Sequence, residues 1–232
     1  MSPRPPNVPT RDETPEDERE AYDAIVKAAK IPLEVTRDGE KLFQWSHENL
    51  FLEYFSRMLV NPEAARAIRN LGGATRKFEY VPGSGSYSPS DHELADLVLC
   101  FDAQYWALLR IHTPSAVVAG VEVSTIRALR DGRESELDDD SRFVVQFVRA
   151  VRDGTMNDET WKRMEERIGS ERGLFDFALL ILLLQMHLRI HHLFKIEPIG
   201  ADEYEAMLVA LEGCVISRST EEARKFVEES RG

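Results

Sequence analysis

The sequence predicts an all-α protein, and three observations carry that expectation. Apolar residues recur at helical spacing along most of the 232-residue chain, β-type alternation is scarce, and Pro, Gly and capping residues punctuate the periodic segments at start and stop positions. The length is ample for a sizeable core. The 29 Lys+Arg against 41 Asp+Glu give a net charge of −12, which argues against nucleic acid as a partner because phosphate binding needs a concentrated basic surface. Two cysteines, Cys100 and Cys214, make neither a CxxC pair nor a disulfide framework.

The elements follow in order. Residues 1–14 form a Pro- and acid-rich arm that lacks the basic start and apolar stretch of a secretory signal, so a cytoplasmic protein is expected. Thr14, Pro15 and the acids after them read as the start of a helix whose apolar stripe is Ala21, Ile25, Val26 and Ala29. A second helix is expected over 42–59, and a third opens at Asn61-Pro62. Residues 80–90, YVPGSGSYSPS, read as a loop. DHELADLVLCF and AQYWALLRIHTPSAVVAG read as two helical pieces, with Asp102 as N-cap of the second and Gly120 as its stop. Helices at 122–131, 138–152 and 157–168 come next, with the turn signal Asp153-Gly154 between the last two.

A long helix over 171–195 and two amphipathic helices, 202–213 and 219–230, complete the chain. The uninterrupted apolar run of the long helix, Phe177–Leu184, is far below the ~20 residues of a membrane span. A buried helix at a subunit interface is the expectation, with no membrane partner. No repeat period is visible. The expected organisation is the arm 1–14, a helical domain over 15–196 and a helical extension over 197–232.

The chemistry concentrates between Glu93 and Gly120. With Asp102 as N-cap, Tyr105, Leu108, Leu109 and His112 fall on one helical face. Glu93, Leu97 and Cys100 share a face of the preceding helix. A turn near Phe101–Asp102 would bring Glu93, Tyr105 and His112 together in an apolar setting. Burial there raises a carboxyl pKa and lowers that of imidazole, toward the range where the two exchange protons.

The stretch DHELADLVLCFDAQYWALLRIHTPSAVVAGVEVSTIRALRDGR resembles the core of the carboxymuconolactone decarboxylase and alkylhydroperoxidase D superfamily. The family pattern is a Glu, eleven residues, a CxxC, three residues and a His, and Glu93 and His112 stand at that spacing. Pro114, the Ala119-Gly120 stop, Ile126 and Leu129-Arg130-Asp131-Gly132 fit the decarboxylase-like members. MLVNPEAARAIRNLGG upstream and the LDDDSRFVVQFVRAVRDGTMNDETWKRM and LLLQMHLRI segments downstream extend the likeness over about residues 6–196. The resemblance implies an alkylhydroperoxidase D-like helical bundle with extra terminal helices, assembled as a dimer, trimer or hexamer.

The departures matter as much. Tyr105 and Leu108 occupy the two CxxC positions, and thiol peroxidase chemistry needs both sulfurs. Leu108 and Leu109 stand where decarboxylase-like members carry an EW pair, with Trp106 displaced by about one turn. The resemblance therefore implies cofactor-independent proton transfer on a small organic acid, lactone or enolisable carbonyl compound, by decarboxylation or isomerisation through an enolate. His112 would move the proton, Glu93 would orient or reload it, and Tyr105 would donate to an oxyanion. A non-catalytic ligand-binding or scaffold relative is the rival reading. A third is a metal protein using His187, His191 and Glu93; with His192 adjacent, those histidines read first as a helix C-terminus. The GSGSY loop at 83–87 lacks the rest of a phosphate-binding signature.

Overall fold

A computed structural model of the protein describes residues 7–28, 33–37, 40–45, 50–75 and 87–212. The expected helix over 219–230, Cys214 and the expected loop as far as residue 86 lie outside them. The described chain is built almost entirely of α-helices and divides into two compact units.

The first unit takes in the chain up to Leu71 together with His191–Glu197. A 3-10 turn, Glu16–Glu18, leads into α1, Arg19–Ala28. Thr14 does not cap it. Pro15 holds the N-cap position, and the buried Thr14 hydroxyl donates to the Thr10 carbonyl at 2.9 Å. α1 turns Ala21 and Ile25 inward and packs on α2, Leu50–Met58, which buries Tyr54, Phe55 and Met58.

Between these helices lies an antiparallel hairpin of β1, Leu33–Arg37, and β2, Glu40–Trp45, in register from Leu33↔Trp45 to Arg37↔Glu40. This corrects the helix expected over 42–59: among the described residues, the part up to Trp45 is strand and Leu50–Met58 is helical. Val35, Thr36, Phe43 and Trp45 favour extended backbone, and Asp38-Gly39 between the two runs is a hairpin signal stronger than the helical spacing set against it.

α3, Pro62–Thr75, leads into the second unit, Gly72–Ile190 with Pro198–Gly213. At its centre is α4, Pro89–Asp102, in which every residue from Leu94 to Phe101 is buried, including Asp96. A helix apolar on all sides must be surrounded. α5 (Leu109–Val118), α6 (Val123–Arg130) and α7 (Asp139–Asp153) do so. α7 starts where the acid run predicted a helix start: Asp138 accepts from the Ser141 N–H at 2.8 Å.

α8 (Asp158–Ile168), α9 (Glu171–Phe194) and α10 (Ala201–Leu211) complete the described chain. By length and composition α9 could cross a membrane, but half of its most apolar window is buried inside the protein. It contributes Phe177, which stacks on Phe147 of α7 at 5.7 Å and meets Tyr87 at 5.0 Å. α10 fastens to α5 and α6 through Tyr204 with Thr113 at 3.0 Å, and through Arg127 and Arg130 with Glu205.

The junction between α4 and α5 positions the site, and it differs from expectation. Asp102 caps nothing; it is the last residue of α4. The chain turns at Gln104 (φ 51°), where the Gln104 N–H donates to Phe101 O at 3.0 Å and the Tyr105 N–H to Cys100 O at 2.9 Å. These two bonds are the Schellman motif, which usually places Gly in the left-handed position. Gln104 compensates in part with its own amide, donating to Phe101 O at 2.9 Å. The Asp102 carboxylate, unfavourable at a helix C-terminus, is neutralised by Arg149 at 2.7 Å and by Arg152. α5 therefore starts at Leu109, and Gly120 (φ 98°) follows its end as expected.

Candidate functional site

α4 begins with strong local signals. The Ser88 side chain accepts from the Asp91 N–H at 3.0 Å, and Pro89 pre-sets the first turn. Asp91 in that turn is held by Arg167 of α8 at 3.0 Å. This fixes the rotation of α4, so His92, Glu93 and Asp96 lie on adjoining faces of its first turns. α5 returns alongside and brings His112 opposite them.

His112 Nδ1 stands 3.0 Å from Glu93 Oε2 and 3.0 Å from Asp96 Oδ2. The contact with Glu93 has hydrogen-bond geometry, with the ring N–H donating. Asp96 Oδ2 also lies 3.2 Å from His92 Nε2. It makes no hydrogen bond to either ring and lies between the two imidazoles. Asp96 is 2% exposed, whereas the His112 and Glu93 side chains keep 13% and 15%. Among the described residues His112 Nε2 and Glu93 Oε1 have no hydrogen-bond partner, and neither is a buried orphan.

The electrostatics follow from this arrangement. Burial works against the His112 imidazolium, but the Asp96 and Glu93 carboxylates outweigh it and push the ring from 6.5 up to about 10. Burial likewise works against the Asp96 carboxylate, yet the two imidazoles hold it well below the usual carboxylate range. The fully buried Cys100 thiol is pushed up, first by burial and then by Asp96 and Glu93. At neutral pH the cluster thus holds a protonated imidazole, an ionised carboxylate and an unreactive thiol.

Of the three residues singled out from the sequence, the structure brings two together. Tyr105 lies off the helix in the α4–α5 connection and makes no hydrogen bond to Glu93, Asp96 or His112. The sequence reading missed Asp96 and His92. The signal was there: an acid inside an apolar run, four positions after a His, is a buried charge in need of a partner.

His92, Glu93 and Asp96 bring one ligand-capable atom each within 4.8 Å of one another. In this cluster Glu93 also accepts from His112, and Asp96 lies between His92 and His112. His187 and His191 form no such group among the described residues; the His191 ring stacks on Tyr54 at 4.2 Å.

No family model matches the sequence, and no curated protein does. In structure it is similar to the alkylhydroperoxidase AhpD core of an uncharacterized peroxidase-related protein from Ralstonia eutropha JMP134. The TM-score is 0.57, over 85% of this chain and 93% of that chain, at 14% identity. The likeness shows that the chain has the all-α AhpD-like fold.

Proposed function

We propose that the chain is a cofactor-independent proton-transfer enzyme of decarboxylase-like type, acting on a small organic acid, lactone or enolisable carbonyl compound. The observation that carries this reading is the 3.0 Å contact of His112 with Glu93, beside buried Asp96, with Nε2 of the ring unengaged. The imidazolium is the acid. When a substrate carboxylate leaves as CO2, the bonding pair stays on carbon as an enolate. That carbon takes the proton from His112 Nε2, the neutral ring keeps its Nδ1–H on Glu93, and solvent returns a proton to Nε2. Isomerisation uses the same parts, with proton removal and return at different carbons.

Thiol peroxidase chemistry is not part of the proposal. Tyr105 and Leu108 stand where the thiol pair would be, and Cys100 is fully buried with its thiol pushed up. The name of the structural neighbour therefore lends the fold alone. The test is CO2 release from a panel of 3-oxo acids and carboxylated lactones by wild type, His112→Gln and Glu93→Gln. Turnover by wild type, reduced at least 100-fold in His112→Gln, supports the reading. Turnover indifferent to His112 contradicts it.

A further inference from the structure

We infer that Asp96 is the positioning residue of this site: it is the fixed counter-ion of His112, and so frees Glu93 to exchange protons with substrate and solvent. The inference rests on the proton-transfer reading and divides the labour within it. On the family resemblance alone, orienting the ring and reloading its proton both fall to Glu93.

Three observations separate the two carboxylates. The first is burial: Asp96 is almost completely enclosed, while Glu93 keeps 15% of its side chain exposed. The second is placement: Asp96 Oδ2 lies between two imidazoles, 3.2 Å from His92 and 3.0 Å from His112, whereas Glu93 meets one ring, through Oε2. The third is the backbone behind each: Asp96 sits a turn deeper in α4, between Ala95 and Leu97, both 0% exposed. A carboxylate that is enclosed between two rings cannot leave the ring it serves. One with a free oxygen at an open edge can accept a proton and release it again.

The titratable groups facing His112 are Asp96 and Glu93, and those facing Asp96 are His112 and His92; Cys100 lies within reach of both carboxylates. Asp96 is the stronger of the two influences that favour the imidazolium, consistent with its deeper site. Each task then has its own residue. Asp96 supplies the fixed negative charge beside the ring, the Nδ1–H stays on Glu93 Oε2, and the reacting proton leaves from Nε2.

The experiment is ring-nitrogen NMR of the 15N-labelled full chain, titrating His112 in wild type, Asp96→Asn and Glu93→Gln. Both ring nitrogens of wild-type His112 are expected to stay protonated through neutral pH. Asp96→Asn is expected to lower the midpoint by more than one pH unit, a loss of more than tenfold in proton affinity, and Glu93→Gln to lower it less. A larger drop in Glu93→Gln, or none in Asp96→Asn, overturns the inference. Should Asp96→Asn fail to fold, Glu93→Gln decides alone: a midpoint still well above 6.5 supports Asp96 as counter-ion, and a return to 6.5 overturns it. These spectra read protonation without a substrate, so their outcome is independent of whether any compound on the panel turns over.

Discussion

Asp96 on α4 and His112 on α5 meet at 3.0 Å where the two helices pack, and Asp96 is the more deeply buried of the two. A buried ion pair is costly to half-remove, because the remaining charge has lost its partner and cannot reach water. Asp96→Ala is therefore expected to destabilise the protein by about 3–5 kcal/mol, measured by urea unfolding.

The same pair sets a pH dependence. The folded-state pKa of His112, about 10, lies above its ordinary 6.5. Its stabilising contribution is thus complete below about pH 6.5 and is lost as pH rises toward 10. The Asp96 pKa is lowered, so its contribution is present above the ordinary 3.8 and is lost as pH falls below that value. Between about pH 6.5 and pH 10, wild type should lose stability relative to His112→Gln. A constant gap between the two unfolding curves would show that His112 is not held as an imidazolium.

At the α4–α5 turn the left-handed residue is Gln104 rather than Gly. A non-glycine residue there carries a strain of about 1 kcal/mol or more, offset here by its side-chain bond to Phe101 O. Gln104→Gly is expected to be neutral to stabilising by up to about 1 kcal/mol. Gln104→Val should lower the melting temperature.

This turn also explains how far the sequence could be read. Helices beyond Gly120 follow apolar spacing and cap chemistry that the residues display openly: Asp138 at the start of α7, and Gly154 just past its end. The α4–α5 boundary displays nothing of the kind, because Gln104 holds a position that usually advertises itself with Gly. Asp102 then looked like an N-cap. With the boundary there, Tyr105 lies in the connection between the helices and not on the His112 face of α5. The β1–β2 hairpin was lost for another reason: its aromatic residues also satisfy a helical stripe, and only Asp38-Gly39 separates the two readings. Glu93 and His112 were legible because their separation is a fixed feature of the chain. Asp96 was not, because what defines it is burial between two rings.

Cys100 has no accessible face, and its thiol is pushed up by burial and by Asp96 and Glu93. In a Cys214→Ser background, Cys100 should resist a thiol-specific disulfide reagent under native conditions and react fully once unfolded. Rapid native labelling would reopen thiol chemistry at this site.

The packing that carries the cluster can be tested apart from it. Phe177 is fully buried and touches both Phe147 and Tyr87. Phe177→Ala should cost about 3–5 kcal/mol with an unchanged denaturant slope.

If His112 transfers a proton to carbon, deuterium from the solvent must appear there. Wild type and His112→Gln are incubated in D2O with enolisable lactones and 2- and 3-oxo acids, and exchange at the α-carbon is followed by proton NMR. Protein-dependent exchange is expected in at least one compound, reduced at least 100-fold in His112→Gln. Exchange at the buffer rate for every compound, or equal exchange by both proteins, would contradict it.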